Sequence, residues 1–496
     1  MRGLAAFSAL LLLSACEVGP DYHPPQATAP PAYGELPANT AQAPLSRPVP
    51  NKADLSQWWT QIPDPELQSL IARALTVNLD LQTAASRIRE AREQEIIAGA
   101  PEWPHVNATG AGVNLHSNSN PLAAIAGGGG GGGPPPANQS TNIKLYNLGF
   151  DATWELDIFG GTRRAVEAAQ ANSEAAAWEM RDGEVSLTAE VANDYLSLRA
   201  AQARMAIFRS EIQRQQNALA LVHARARAGF VTQLDVNQQR ALVSTTAAEL
   251  PGLQADARAF EHAIAVLLAQ QPETLTAELD TATPQPPIPA TLPVGLPSDL
   301  LRRRPDIREA ERKLAAATAN IGVAVADLYP KFNLIGAASF SGPHIGDLLS
   351  ASHFGTVGIG QITWAIFQGG QIHANIRAKE EEAQQAYFAY QHAVLAALQN
   401  TEDALTRYVN EQQRYLSLQS AVQSAQSSAA LAENQYRAGL VTYLNVLTAQ
   451  TTLLNARDQL TQSRQQLAQN LVSLYKALGG GWFTAEVGAG ATPAAQ

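Results

Sequence analysis

The amino-acid sequence predicts an α+β membrane protein, and three observations carry that prediction. One long pattern occurs twice along the chain. Each copy holds a proline-free stretch suited to a very long helix. Each also holds a pair of segments of about ten residues, the length of a tilted membrane strand. Composition agrees: 16% of the 496 residues are charged, against roughly 25% in ordinary soluble domains. Lys+Arg 34 against Asp+Glu 44 gives a net charge of −10, which leaves no basic footprint for nucleic acid. A single cysteine excludes a disulfide framework and any zinc site built on two thiolates. No apolar run reaches the 18 or more residues of a transmembrane helix. A membrane crossing therefore falls to strands.

Residues 1–15, MRGLAAFSALLLLSA, join one positive charge, a short apolar stretch and small residues, the build of a signal peptide. The only cysteine follows directly in Leu13-Ser14-Ala15-Cys16. This arrangement resembles the lipobox of bacterial lipoproteins and makes Cys16 the lipidation site; the plainer alternative is a buried cysteine beside an ordinary signal. Several acyl chains on one residue anchor firmly, because each buried CH₂ contributes about 0.8 kcal/mol. Glu17, rather than Asp, after the cysteine resembles lipoproteins sorted to the outer membrane. Residues 16–50 are rich in Pro, Ala and Gln and read as a lipidated, extended tether with no core of its own.

The repeat is read from landmarks in fixed order. Arg227-Ala228-Gly229-Phe230-Val231-Thr232-Gln233-Leu234-Asp235-Val236 recurs 210 residues later as Arg437-Ala438-Gly439-Leu440-Val441-Thr442-Tyr443-Leu444-Asn445-Val446. Trp154 and Trp364 stand at the same offset. Upstream, Asp80, Pro104, Asn107 and Gly110 match Asp306, Pro330, Asn333 and Gly336 at an offset of 226. The difference lies in the Gly/Pro run 127–136 of the first copy, either an external hairpin loop or a linker. Repeat 1 covers 51–270: opening helices, a β-hairpin at about 104–156, a long helix 162–228 and a return helix 233–270. A linker or equatorial segment fills 271–297. Repeat 2 covers 298–478, with a helix 304–327, a hairpin at about 330–366, a long helix 371–438 and a return helix 443–478. Residues 479–496 form a C-terminal tail.

In the first hairpin, Tyr146, Leu148, Phe150, Ala152 and Trp154 alternate with Asn147, Gly149, Asp151, Thr153 and Glu155, one apolar and one polar face at period two. Phe332, Leu334, Gly336, Ala338 and Phe340 give a similar face in the second copy, while 354–364 alternates weakly. The pattern suits either membrane strands or hairpins of a wet sheet. Four strands cannot close a barrel, and lipid tolerates no open sheet edge. In the membrane reading the chain must oligomerise. Two copies give eight strands and a barrel filled by its own side chains; three give twelve, within the range of open barrels.

The long helices carry heptads. Val191, Leu198, Met205, Ile212 and Leu219 fall seven apart, with Leu187, Ala201, Phe208 and Val222 in the complementary position and Asp194 and Gln215 as interruptions. Tyr408, Tyr415, Val422 and Ala429 repeat the phase. Sustained heptads specify supercoiled helices packed side by side. Between Thr162 and Ala228 the only glycine is Gly183 and there is no proline, so a rod of roughly 100 Å is possible at 1.5 Å per residue. A plain coiled coil and the wall of a tube both answer this description. The polar interruptions and abundant Ala and Gln favour a wall with one wet side.

Several motifs in one order then match a known family. Ala15-Cys16-Glu17-Val18-Gly19-Pro20-Asp21-Tyr22, Trp58-Trp59, Asp64-Pro65-Glu66-Leu67, Arg303-Arg304-Pro305-Asp306-Ile307, Ile321-Gly322-Val323-Ala324 and Leu474-Tyr475-Lys476-Ala477-Leu478-Gly479-Gly480-Gly481-Trp482 together resemble the TolC-like outer-membrane factors, in their NodT-like efflux lipoprotein branch. The resemblance implies a homotrimer with one 12-stranded β-barrel in the outer membrane, a 12-helix periplasmic α-barrel and a mixed equatorial domain. It implies a periplasmic adaptor and an inner-membrane pump of the resistance-nodulation-division type as partners, with drugs or other small molecules conducted passively. It implies no enzymatic activity and no cofactor beyond the covalent lipid.

Glycine at 229 and 439 supplies a positive φ to end the rods, and a threonine caps each return helix. The resemblance adds a second role: Gly229, Phe230, Val231 and Thr232, with Gly439, Leu440, Val441 and Thr442, as helical tips that meet the adaptor. It also places a periplasmic constriction just past the turns. Asp235 matches an acidic ring position there, where three like charges repel near one axis; equally, Asp235 suits the first turn of its own helix. In the second copy Asn445 and Thr448 stand where some relatives carry Asp, which implies either a gate with weaker cation preference or closure by Tyr443 and Leu444. Trp154 and Trp364 belong either to an interfacial aromatic girdle or to core packing. The nine histidines show no metal-ligand spacing, and no nucleophile or phosphate-loop motif appears. Two other functions compete: a protein-secretion channel of the same fold, and a periplasmic adaptor, which carries one hairpin between small β domains instead of two.

Overall fold

A computed structural model describes residues 17–26, 29–35, 45–49, 54–117 and 141–482. The signal peptide, Cys16, the Gly/Pro run 127–136 and residues 483–496 lie outside the described residues. In chain order the elements are β1 (Arg47–Val49), α1 (Pro65–Val77), α2 (Leu79–Gly99), β2 (His105–Ser117), β3 (Thr141–Leu156), α3 (Gly161–Arg227), α4 (Gln233–Leu267), the single turn α5 (Thr276–Leu279), β4 (Thr291–Pro293), α6 (Pro297–Arg303), α7 (Pro305–Ala326), β5 (Lys331–Gly342), β6 (Phe354–Thr363), α8 (Gln371–Arg437) and α9 (Tyr443–Ala477). The two long helices are 67 residues each and the two return helices 35 each. No helix among the described residues is long and apolar enough to cross a membrane.

Two compact units share these elements. The first takes residues up to 24, 90–173 and 312–387. Its core feature is one antiparallel sheet in the order β2-β3-β5-β6. The ladder that begins with His105 opposite Thr153 reappears as Lys331 opposite Thr363, so both hairpins keep one register under the offsets of 226 and 210. The junction β3–β5 sets Leu148, Phe150 and Trp154 beside Phe340, Ala338 and Leu334, which joins the two apolar faces into one. On the other face Asn107 donates to Asp151 at 3.1 Å and Asn147 to Ser339 at 3.2 Å. Trp154 Nε1–H donates to the Glu102 carbonyl at 3.0 Å, and Trp364 Nε1–H to the Leu328 carbonyl at 2.9 Å. Each tryptophan thus ties its strand to the turn ahead of the hairpin's first strand, a job that neither sequence reading foresaw.

The same unit holds the first described residues of the segment read as a tether. Val18 N–H donates to the Phe159 carbonyl at 3.1 Å. Arg164, whose side chain is 4% exposed, holds the Val18 carbonyl through Nε and pairs with Glu17, Asp21 and Glu167. Gly19 has φ +94 and lies so close to Gly322 that an added Cβ would come within 2.4 Å of its Cα. Segment 17–21 is therefore docked. Its composition says extended, but extended backbone with charges and glycine also suits a groove.

The second unit takes residues 25–89, 174–311 and 388 onward and is helical. Leu187, Val191, Leu198, Ala201, Met205 and Phe208 of α3 are buried with Leu67, Leu70 and Ile71 of α1 and Leu467, Leu471 and Tyr475 of α9. Trp58 stacks on Tyr475 at 5.1 Å. Asp64 caps α1, accepting from the Glu66 and Leu67 amides at 3.0 and 3.1 Å, with Pro65 in the first helical position, where its missing N–H costs nothing. Gly183 sits where Leu81 of α2 packs against α3; a Cβ there would stand 3.3 Å from that side chain. The N-terminal segment is held here too: the Gly34 and Glu35 amides donate to Glu402, and those of Leu45 and Ser46 to Gln412. β1 pairs in parallel with β4, a ladder of three residues inside the segments read as tether and linker.

Candidate functional site

Both long helices end by the same backbone device. At the first turn the Phe230 amide donates to the Arg225 carbonyl at 3.0 Å and the Gly229 amide to Ala226 at 3.0 Å. At the second, Leu440 donates to Gln435 at 2.9 Å and Gly439 to Tyr436 at 3.0 Å. These are Schellman closures, which need a left-handed residue after the helix, and Gly229 and Gly439 supply φ +78 and +74. In such motifs an apolar residue past the glycine usually folds back onto the last turn. Here the helical partner is Arg225 or Gln435, and Phe230 and Leu440 stand 79% and 75% exposed. Leu234 and Leu444, one turn into the return helices, are exposed as well. Each turn thus presents an apolar pair, Phe230 with Leu234 and Leu440 with Leu444. Sequence reading missed Leu234; its signal was its place 210 residues before Leu444.

The other predicted residues split by environment. Val231 packs on an internal cluster of Val222, Val236, Tyr443, Val446 and Leu447, while Val441 is half-buried. Thr232 caps α4 in a reciprocal box: its amide and hydroxyl donate to Asp235 Oδ2 at 2.9 and 2.8 Å, and its hydroxyl accepts from the Asp235 amide. Asp235 is half-buried and committed to its own helix start. The second copy lacks this box. Thr442 makes no side-chain cap bond, and Asn445 and Thr448 are exposed, with Thr448 Oγ1 donating to the Leu444 carbonyl at 3.0 Å.

Tyr443 is buried inside the chain. Its hydroxyl donates to Gln239 Oε1 at 2.7 Å, and Gln239 Nε2 donates to the Gln215 carbonyl at 2.9 Å. Burial pushes the Tyr443 phenol up to about 12, so it remains a donor at every physiological pH. Tyr443 therefore joins α9 to α4 and α3, and the exposed groups beside it are Leu444, Asn445 and Thr448.

A cleft of about 290 Å³ in the second unit lies elsewhere, lined by Asp182, Arg304, Asp306, Asp403, Arg407 and Lys476 among others. Burial raises the Asp182 carboxyl, while Arg304 is bound to Asp306 and the Ala477 carbonyl. Among the described residues no His/Cys/Asp/Glu group is arranged to hold a metal.

Residues 70–270 and 296–480 match the model of the family described as "Outer membrane efflux protein". "Nodulation protein T" of Rhizobium leguminosarum bv. viciae is 33% identical over 408 residues, covering 81% of this chain and 78% of that protein. "Pyoverdine export outer membrane protein OpmQ" of Pseudomonas aeruginosa is 32% identical over 420 residues, 83% and 84% of the two chains. The solved outer-membrane channel OprN superposes with a TM-score of 0.84 at 35% identity, over 94% of this chain and all of that one. CusC superposes at 0.79 with 27% identity over the same shares.

Proposed function

The chain belongs to the outer membrane efflux protein family, and from that premise we propose that three copies close one twelve-stranded barrel in the outer membrane, continuous with a twelve-helix tunnel in the periplasm. The family makes the chain a non-enzymatic outer-membrane channel of a tripartite efflux system. The observation that carries the trimer is the sheet order: β2 and β6 lie at opposite edges, and hydrocarbon leaves no edge unpaired. Closure by copies of the same chain adds four strands each, and three copies reach a barrel wide enough for an aqueous path.

Lipid on Cys16 anchors the N-terminus in the membrane beside the docked segment Glu17–Asp21. A periplasmic adaptor meets the exposed pairs Phe230 with Leu234 and Leu440 with Leu444, and an inner-membrane pump of the resistance-nodulation-division type supplies the energy. Apolar side chains on two repeated turns suit an α-helical hairpin that buries its own leucines on them. Past the turns, Asp235, Leu444, Asn445 and Thr448 border the periplasmic constriction, and Tyr443 positions Leu444 from within. The cargo is drugs or other small molecules; relatives are named for pyoverdine export and for cation efflux.

The purified protein inserted into planar bilayers tests the reading, together with expression in an efflux-deficient host that carries a cognate adaptor and pump. Trimers by native mass spectrometry, discrete ion conductance and restored drug resistance are the expected results. A monomer in detergent, or bilayers that pass no current, would overturn it.

A further inference from the structure

We infer that β6 of one copy pairs with β2 of the next in a register already written inside the chain: Thr363 opposite Thr109, Gln361 opposite Ala111 and Ile359 opposite Val113. The inference rests on the three-copy reading and adds the residues of the closing seam.

The ladder β3–β5 is the junction between the two repeats within one chain. It sets Trp154 opposite Leu334, Thr153 opposite Ile335, Asp151 opposite Ala337 and Gly149 opposite Ser339. Moving β3 forward by 210 residues gives β6, and moving β5 back by 226 gives β2. The same two shifts carry the first hairpin's ladder onto the second with no slip, and they carry the Trp154–Glu102 bond onto Trp364–Leu328. The two repeats are thus equivalent residue by residue at the sheet. Applied to the internal junction, the shifts yield the seam above, with Trp364 opposite Ala108 and Ile362 opposite Gly110.

The side chains at these positions fit the pairing. Ile359 and Val113, 52% and 43% exposed in one chain, become direct cross-strand neighbours of the β-branched kind that sheets favour. Beyond the strand end, the internal pair Leu156–Phe332 maps to Ile366 opposite Val106, which are 84% and 64% exposed. The bulky Ile362 and Trp364 meet Gly110 and Ala108. A slip of one residue would turn every side chain to the wrong face and set Ile359 against Gly112 or Asn114. The internal junction holds polar contacts, Asn147 to Ser339 and Lys331 to Glu155. At the seam the same positions are Val357, Val113, His105 and Ala365. At the first of these places an apolar pair, Val357 with Val113, replaces the polar one, and at the second the ion pair is lost, since Ala365 carries no charge.

Cysteine cross-linking in the full-length protein tests the register. The double variants Gln361→Cys with Ala111→Cys, and Thr363→Cys with Thr109→Cys, are expected to give covalent trimers under mild oxidation that reducing agent dissolves. The slipped pairs Gln361→Cys with Thr109→Cys and Gln361→Cys with Val113→Cys are expected to link at least about tenfold less, because the Cβ separation of diagonal neighbours exceeds that of a disulfide. Each single variant alone should give none. Native mass spectrometry of every variant before oxidation separates the two layers of the argument. Trimers that link in a slipped pair, or in none, overturn the register alone. Chains that stay monomeric overturn the three-copy reading and the register with it.

Discussion

Arg164 is an arginine almost without solvent, and the charges around it are the reason. Glu17 and Asp21 reach it from one side and Glu167 from its own helix; its guanidinium holds the exposed Asp21 carboxyl below the usual carboxylate range. A guanidinium fork serves these partners and the Val18 carbonyl together, which a lysine cannot do. Arg164→Ala, and to nearly the same degree Arg164→Lys, should cost about 2 kcal/mol in charge-assisted hydrogen bonds and make the 17–21 segment sensitive to protease while α3 stays resistant. Equal protection of that segment in variant and parent would refute the clamp. None of this was legible in the sequence, because the groove is made by Arg164 and Gly322, far from the segment that fills it, and a Pro- and Ala-rich composition carries no trace of its partner. Asp194 is the opposite case, visible as a polar interruption in a heptad. Burial, and after it the neighbouring Glu190, pushes its carboxyl up to about 6. Between an unfolded value near 3.9 and that folded value the native chain holds a proton that the unfolded chain has released. Its contribution is therefore most favourable below about pH 4 and is lost as pH rises through 6. Asp194→Asn should raise stability near neutral pH by about 1 kcal/mol after allowance for partial exposure and change nothing at about pH 4. Thermal midpoints at the two pH values check it; an equal change at both would assign the effect to packing.

At the scale of elements the rods and turns are the most readable parts, since each of their boundaries has a local cause. Positive-φ glycines at 229 and 439 stop the long helices, and threonines open the return helices whether or not the side chain caps. Pro251 lies inside α4 without ending it, because that position is exposed and a missing amide there can be replaced by water. Strand β6 was hard to read for a physical reason: on the face where β3 carries Asn147 and Gly149, β6 carries Val357 and Ile359, and both its faces mix glycine with apolar residues. The pair β1–β4 is too short for any periodicity. At the turns no atom stands within 4 Å of a Cβ added to Gly229 or Gly439, so substitution there meets backbone strain and no clash. Gly229→Ala should cost roughly 1 kcal/mol for its left-handed φ and keep efflux. Gly229→Asp or Gly439→Asp adds charge beside the exposed apolar pair and should abolish efflux while trimers still reach the membrane. Drug resistance and trimer content, measured together, check this; resistance unchanged by the aspartates would remove the docking role.

For the whole molecule, counting strands in the sequence asks for more than one chain wherever those strands lie in lipid, since four strands cannot hide their own edges there. The cargo was not legible and has a reason not to be: a passive conduit selects by width and charge along its wall, and these belong to the assembly. The narrowest test of that assembly is the acidic position past the first turn. On a threefold axis three Asp235 carboxylates would favour cations, yet in each chain one oxygen of Asp235 is spent on Thr232. Removing the carboxylate therefore removes a helix cap and a ring charge at once, and the two must be separated. Thr232→Ala weakens the cap, by about 1 kcal/mol, and leaves the charge. Asp235→Ala removes both. Asn445→Asp adds a charge in the second copy, three residues after Thr442 as Asp235 stands three after Thr232. If the ring governs conduction, single-channel reversal potentials in a salt gradient should show cation preference lost in Asp235→Ala, kept in Thr232→Ala and increased in Asn445→Asp. Preference that survives Asp235→Ala would leave that residue with its cap as its whole role, and the exposed Leu444 as the residue that closes the mouth.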